Sequence, residues 1–146
     1  MVAKKSTIVG WRCRKSRYLL QGVTCTGCAA LYYPKKYWCV CGATSFEPVN
    51  FSGRGTLISF TSITVPPQDF IAMAPYNLGL VELEEGPRLI AQVTDVAFDV
   101  LTIGMPVVAV FRKHYAAGEK GIIHYGMKFK PIDLPIHVQQ GLELQK

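Results

Sequence analysis

Long apolar runs are missing from this 146-residue sequence, although 49% of its residues are hydrophobic. No stretch approaches the roughly 18 consecutive apolar residues that a membrane span needs. The N-terminal sequence Met-Val-Ala-Lys-Lys-Ser also lacks the apolar segment of a secretory signal. We therefore expect a cytoplasmic protein with no membrane span, and the apolar content is high enough to form a core.

Acidic residues are scarce in the first third of the chain. Residues 1–50 contain eight lysines and arginines but a single acid, Glu47, whereas residues 51–146 contain eight bases and nine acids. The net charge of +6 therefore belongs to the N-terminal part. A basic region favours an anionic partner such as nucleic acid, a phosphorylated cofactor or an acidic protein surface, and it is equally typical of a solvated face.

Histidine is rare as well, and the sequence offers no evident pair of nucleophile and base. Cys13 lies among arginines and a lysine, which lower a thiol pKa in principle, but no histidine is near it in sequence. We interpret Cys13 as an incidental free cysteine, and His124 and His137 as ordinary surface histidines. We therefore expect no catalytic residues.

Four of the five cysteines, in contrast, form two close pairs. Cys25 and Cys28 are followed by Cys39 and Cys41, with aromatic residues and a basic turn between the pairs. In a reducing compartment such clusters are more often metal ligands than disulfides, and four thiolates at Zn–S distances of about 2.3 Å can clip together a short segment. Residues 25–42 thus predict a zinc ribbon, although a ribbon held by packing alone, an iron site or a redox disulfide remain open.

Beyond residue 55 the pattern is mainly β. Residues 56–65 are rich in residues that suit a pleated surface, residues 76–84 and 88–93 flank a Glu-Gly-Pro turn, and residues 106–115 and 122–130 form a second hairpin. Five strands with no long helix between them predict a small closed antiparallel barrel. We divide the chain into a basic arm or short helix (1–24), the ribbon (25–50), the barrel (51–132) and a tail (133–146).

Several short motifs follow one another in a specific order. They are Arg17-Tyr18-Leu19, Tyr32-Tyr-Pro, Cys41-Gly42, Gly53-Arg-Gly-Thr, Tyr76, Val81-Glu-Leu-Glu-Glu-Gly-Pro-Arg-Leu, Gly104-Met-Pro-Val and Tyr125-Gly-Met-Lys-Phe. Together they resemble a family long catalogued as a domain of unknown function. The resemblance implies a mainly β protein in which a rubredoxin-like zinc ribbon precedes a five-stranded antiparallel OB-fold barrel.

The resemblance also implies a function. Members of that family accompany thiolase-superfamily enzymes, including acetoacetyl-CoA thiolase with HMG-CoA synthase, and related acyltransferases. They act there as non-catalytic subunits that bridge two enzymes and contribute to a surface for CoA or acyl-CoA. One departure is the pair Cys39-Val-Cys41, which is one residue shorter than the family's usual spacing. Because residues two apart in an extended strand project to the same side, both sulfurs are still expected to reach one metal.

A CoA-binding surface needs bases for the phosphates and an apolar wall for pantetheine. The candidates lie on strands predicted to be neighbours, or before the second strand of the barrel: Arg112, Lys113, His114, Tyr125, Lys128 and Tyr76. The alternative is a barrel with a basic outer face. The loop that contains Phe70, Ile71 and Met73 is expected to contact a partner, or else to cover the mouth of the barrel.

Parts of the sequence also fit two other functions. OB folds and zinc ribbons both bind single-stranded nucleic acid through basic grooves and aromatic side chains, and the N-terminal aromatics fit that in part. Against it, Glu82, Glu84 and Glu85 lie on the predicted barrel hairpin and repel a phosphate backbone. An independent acyltransferase or thioesterase that uses Cys13 is the third reading.

Overall fold

The structure is a computed structural model and describes residues 18–116 and 123–132. Most of the predicted arm with Cys13, and the predicted tail with His137, lie outside the described residues. Within the described ranges, no helix has the length and apolar character needed to cross a membrane.

Eight strands make up the two β-sheets of the described chain. Their bounds are β1 Gln21–Cys25, β2 Leu31–Tyr32, β3 Phe46–Asn50, β4 Arg54–Ile63, β5 Tyr76–Leu83, β6 Arg88–Val93, β7 Pro106–Ala116 and β8 Ile123–Pro131, with 3₁₀ helices at Gln68–Met73 and Phe98–Val100. The first sheet has the order β2-β1-β3 and the second closes into a barrel of order β4-β5-β6-β8-β7. The protein is therefore mainly β, with a small N-terminal sheet before a five-stranded barrel.

The barrel is mixed, so the prediction of a purely antiparallel barrel was wrong. Four of its neighbouring pairs are antiparallel, but β6 and β8 run parallel and meet at Val93 and Phe129. The reason is topological: directions cannot alternate all the way around a closed ring with an odd number of strands. One parallel seam is the minimum for five strands.

The barrel core follows from alternation along the strands. In β5 every second residue is buried, ending with Val81 and Leu83, and these side chains pack with Leu57, Val107 and Phe129. Because successive side chains point to opposite faces of a strand, one face of each strand fills the interior and the other meets solvent.

Phe51 joins the small sheet to the barrel. It is buried in the same apolar cluster as the barrel core, and Leu31, Tyr33 and Val49 of the N-terminal part pack against that cluster. The Phe51 ring lies so close to Gly22 that a Cβ there would collide with it, and it meets Tyr33 edge-on at 6.2 Å. The two sheets therefore share one continuous core.

Candidate metal centre and ligand surfaces

The four paired cysteines converge at the end of β1. Their sulfur atoms all lie within 4.8 Å of one another, with Cys25 and Cys41 3.6 Å apart and Cys28 and Cys39 3.4 Å apart. Tetrahedral zinc with Zn–S bonds of about 2.3 Å places its sulfurs about 3.8 Å apart. Donor type, number and spacing therefore fit a tetrahedral metal ion such as zinc.

A tight turn positions the first pair. β1 ends at Cys25, whose carbonyl accepts the Ala29 N–H at 2.9 Å, and Ala29 adopts a left-handed φ of 57°. The Gly27 N–H donates to the Cys25 sulfur at 3.4 Å. The turn therefore fixes where the Cys25 sulfur lies.

The second pair uses a turn instead of the expected extended strand. The Gly42 N–H donates to the Cys39 carbonyl at 2.9 Å, and Gly42 has φ 86°, a conformation that glycine adopts at no steric cost. The turn brings the Cys39 and Cys41 sulfurs into the same cluster as the first pair. The one-residue spacer is therefore compatible with a shared metal, for a different reason from the one predicted.

Tyr32 contacts this cluster, which the sequence did not predict. Its hydroxyl lies 3.2 Å from the Cys39 sulfur. That hydroxyl, followed by the backbone N–H of Cys41, lowers the pKa of Cys39 to about 6. In Cys28, the Ala30 N–H lowers the pKa, but hydrogen bonds with Cys39 and Cys41 and burial outweigh it and raise the pKa to about 12.

The four sulfurs also lie close enough for their charges to repel one another. Once one sulfur is negative, a second thiolate a few ångströms away is disfavoured unless a cation lies between them. The cluster therefore needs a central cation before all four sulfurs can be thiolates. The position of Tyr32 between the two cysteine pairs was visible in the sequence, but the direction of its hydroxyl was not.

The six candidates for CoA contact do not form one cluster. The alternation along β7 and β8 places Arg112 and Lys128 on the same face of the sheet. The cross-strand partner of Arg112 is Gly126, and that of Lys128 is Val110. His114 lies over Gly126 on that face, 2.6 Å from where a Cβ would be. Lys113 and Tyr125 are cross-strand partners, and both lie on the other face of the sheet.

The candidates on the two faces of the β7–β8 pair have different neighbours. On the first face, Arg112 pairs with Asp95 at 3.1 Å, and Lys128 and Tyr76 line one cavity. On the second face, the half-exposed rings of Tyr125 and Phe111 stack at 5.6 Å, and Tyr18 meets Phe111 edge-on at 5.0 Å. The structure thus brings Tyr76 to Lys128, and Lys113 to an aromatic cluster.

The predicted contact loop forms the first 3₁₀ helix. Phe70 packs against Tyr76 and Tyr115, with ring centroids 5.8 and 5.4 Å away, so it is partly inside the fold. Met73 lines the same cavity as Tyr76. Of the three residues, Ile71 alone has an exposed side chain.

A group of exposed apolar side chains lies on the ribbon and includes two of the N-terminal aromatics that in part fit a nucleic-acid surface. We call residues 35–40 the ribbon tip. Tyr37, Trp38 and Val40 are 79%, 69% and 86% exposed. Lys35 lies over the Tyr37 ring at 5.7 Å, and Lys36 lies over the Tyr32 ring at 4.5 Å. The tip therefore presents apolar surface bordered by positive charge.

Comparisons with known proteins agree with this architecture. Residues 48–112 match the family described as "ChsH2, C-terminal OB-fold domain". The chain is also similar to a solved structure titled "Ltp2-ChsH2(DUF35) aldolase", with a TM-score of 0.67, 28% identity, and coverage of 91% of this chain and 99% of that one. Fold and cysteine cluster together define a class of proteins that join a small cysteine-bearing sheet to an OB-fold barrel.

Relatives extend the match along the sequence. A "DUF35 domain-containing scaffold protein" of Methanocaldococcus jannaschii is 40% identical over 135 residues, which is 91% of this chain and 96% of the relative. "Benzoylsuccinyl-CoA thiolase subunit BbsA" of Thauera aromatica is 37% identical over 78 residues, half of each chain. The chain belongs to the DUF35 domain family.

Proposed function

We propose that this protein is a non-catalytic scaffold subunit of a thiolase-type acyl-transfer complex. The observation that carries the proposal is similarity over nearly the whole chain to a protein named as a scaffold. The thiolase subunit of Thauera aromatica supports the type of partner. The cytoplasm suits this role, because thiol metal ligands stay reduced there.

The ribbon tip is the proposed docking surface for the enzyme. Large apolar side chains that remain exposed on a small protein commonly mark an interaction site. Aromatic residues such as Trp38 dominate the energy of many interfaces. The neighbouring lysines favour an enzyme surface with an acidic rim around an apolar groove.

The role of the metal in this scheme is structural. Cys25, Cys28, Cys39 and Cys41 hold zinc, which fixes the two turns that flank the ribbon tip. All four positions are taken by protein thiolates, as in structural zinc sites. Zinc would supply folding energy and no open position for substrate.

A more specific proposal names the two bridged enzymes and the residues that contact CoA. We propose acetoacetyl-CoA thiolase and HMG-CoA synthase as the two bridged enzymes, and Lys113 with Tyr125 as the residues that meet CoA. An ammonium group complements phosphate charge, and the exposed rings of Tyr125 and Phe111 offer an apolar face for adenine. Lys113→Ala should weaken CoA binding to the assembled complex, whereas Lys130→Ala should not.

Co-expression with the thiolase of the same organism tests the scaffold role. We expect the two proteins to co-elute at low salt in size-exclusion chromatography with light scattering, and a three-component complex when the synthase is added. Trp38→Ala should weaken the assembly at least about tenfold, as expected for an interface hot spot. Ile103→Ala, an exposed apolar residue on the barrel, is the matched control.

Two results would count against the proposal. Elution of this chain alone, with both enzymes present, would remove the scaffold role. Equal binding by the Trp38→Ala and Ile103→Ala variants would leave the scaffold role but move the docking surface away from the ribbon tip.

A further inference from the structure

Exposed and buried cysteines alternate along the metal-binding cluster. Cys28 and Cys41 are exposed, whereas Cys25 and Cys39 are only 2% and 3% exposed. Burial closes the sulfurs of Cys25 and Cys39 to reagents in solution. An oxidant therefore meets the cluster first at one of the two exposed cysteines.

Each of the two closest sulfur contacts joins an exposed cysteine to a buried one. The sulfurs of Cys28 and Cys39 are 3.4 Å apart, and those of Cys41 and Cys25 are 3.6 Å apart. Both contacts cross from one turn to the other. Because a disulfide bond is about 2.05 Å long, the Cys28 and Cys39 sulfurs need to approach by about 1.4 Å to form one.

A bound metal keeps these sulfurs in a reactive form. Cysteines that hold a metal are deprotonated, and the thiolate is the form that peroxides oxidise. Cys28 in the metal-loaded protein is therefore an exposed thiolate, and the Cys39 thiolate is its neighbour in the cluster.

We propose that Cys28 is a site of oxidation by peroxides and that Cys39 completes a disulfide with it. The Cys28 thiolate attacks one oxygen of hydrogen peroxide, becomes a sulfenic acid and expels hydroxide. The Cys39 thiolate then attacks the Cys28 sulfur, forms the disulfide and expels a second hydroxide. The two sulfurs give up two electrons to the peroxide, and two protons from solvent convert the two hydroxides to water.

Formation of this disulfide removes two of the four metal ligands. The two remaining thiolates bind zinc much more weakly than four do, so oxidation releases the metal. Cys41 and Cys25 can then form the second cross-turn disulfide with another peroxide. A dithiol reductant converts both disulfides back to thiols, so the modification is reversible.

The oxidation also alters the ribbon tip, since Cys39 lies within residues 35–40. A bridge from Cys28 to Cys39 and loss of the metal change how both ends of the tip are held. Release of the thiolase on oxidation follows from this change and rests on the function proposed above. Disulfide formation and zinc release do not depend on that function.

Trypsin allows a direct test on the full-length, zinc-loaded protein, because two adjacent lysines lie between the cysteine pairs. Cleavage separates residues 18–35, which contain the first pair, from residues 37–54, which contain the second. After treatment with hydrogen peroxide and alkylation of the remaining thiols, we expect mass spectrometry to find these two peptides linked. Fragment ions should assign the first link to Cys28 and Cys39.

Zinc release and the order of reactivity are measured on the same protein. A metallochromic indicator should record zinc release at least about tenfold faster with peroxide than without it. Limiting N-ethylmaleimide, without peroxide, should label the two exposed cysteines at least about tenfold faster than the two buried ones. Cys13→Ser, which keeps all four cysteines of the cluster, is the control and should release zinc at the wild-type rate.

Three results would overturn the proposal. Retention of zinc and absence of linked peptides in excess peroxide would exclude oxidation at Cys28. Disulfides within each pair would leave the two peptides unlinked and would exclude the bridge to Cys39. Faster labelling of the buried cysteines would contradict the order of access.

Co-elution with the thiolase separates this proposal from the scaffold role. Loss of co-elution on oxidation, and its return after dithiothreitol and zinc, would support both. Linked peptides and zinc release with unchanged co-elution would confirm the oxidation site and contradict docking at the ribbon tip. Absence of co-elution before oxidation would contradict the scaffold role alone.

Discussion

Among single residues, Cys39 combines burial with two hydrogen-bond donors at its sulfur. The Tyr32 hydroxyl and the Cys41 N–H lower its pKa to about 6, so its thiolate forms readily near neutral pH. Its backbone also anchors the turn that carries Cys41. Loss of its sulfur therefore removes one ligand and disturbs the position of another.

Replacement of Cys39 by serine should abolish stoichiometric zinc binding. Zinc affinity depends strongly on the number of thiolates, and three thiolates with a hydroxyl form a much weaker site. Metal content of the purified protein, measured by mass spectrometry, should fall from about one zinc per chain to well below one half. Cys13→Ser, which leaves Cys25, Cys28, Cys39 and Cys41 unchanged, is the control and should keep its zinc. Full zinc content in Cys39→Ser would show that the second pair does not bind the metal.

Glu85 makes the free energy of unfolding of the protein depend on pH. Burial alone would raise its pKa, but the N–H groups of Ser52 and of Glu85 itself outweigh burial and lower the pKa below 4.5. The Ser52 N–H donates to its carboxylate at 2.6 Å. Since the carboxylate is favoured in the folded state, its stabilisation is fully present above about pH 4.5 and is lost as pH falls through the lower folded pKa.

Glu85→Gln should therefore lower the free energy of unfolding by about 1 kcal/mol at pH 7, after allowance for solvent screening. The difference from the wild-type protein should shrink as pH falls below 4 in urea unfolding. Glu84→Gln, at the neighbouring exposed position, should show a smaller effect. A difference that stays constant from pH 7 to pH 3 would contradict the assigned role.

Among structural elements, the segment between β3 and β4 joins the small sheet to the barrel. Phe51 packs its ring against Gly22 and Tyr33, and its N–H donates to the Leu20 carbonyl at 3.3 Å. The Phe51 ring thus lies between the two sheets, and its removal would leave a cavity at their junction.

Phe51→Ala should destabilise the protein by about 3–4 kcal/mol, the usual cost of an aromatic-to-alanine change in a core. Phe98→Ala is the matched control, because Phe98 is half exposed, lies outside the buried core cluster and meets the Phe60 ring edge-on at 5.4 Å. Its cost should remain near 1 kcal/mol. Urea unfolding measures both. Equal losses in the two variants would mean that Phe51 does not join the two sheets.

The elements of the barrel were predictable from local pattern, whereas its closure was not. The alternation in β5 and the Glu-Gly-Pro turn gave the first hairpin, and the metal-ligand spacing indicated the cysteine cluster. The β6–β8 seam depends on strands far apart in sequence, so periodicity carries no signal for it. The division of the chain at residue 50 stays a prediction.

The predicted CoA-binding cluster did not take account of the direction in which each side chain leaves its strand. Arg112 and Lys113 are adjacent in sequence and therefore leave opposite faces of β7. The five candidates on β7 and β8 come from both faces of these strands, so they do not form one cluster with Tyr76 of β5.

In the molecule as a whole, the two sheets differ in how they are held. The barrel buries apolar side chains from every strand, whereas between residues 25 and 50 only Cys25 and Cys39 are buried. A segment with so little apolar burial of its own would depend on a bound metal for a fixed structure. The ribbon should therefore respond to loss of zinc more strongly than the barrel does.

Removal of zinc by a chelator should unfold the ribbon and leave the barrel folded. Amide hydrogen exchange should lose most of its protection in residues 25–50 and keep it in β4 to β8, because the barrel core around Leu57, Val81 and Phe129 does not include the cysteine cluster. Readdition of zinc should restore protection, and the same treatment should abolish co-elution with the thiolase if the ribbon tip is the docking surface. Loss of protection throughout the barrel would show instead that Phe51 couples the two sheets into one cooperative unit.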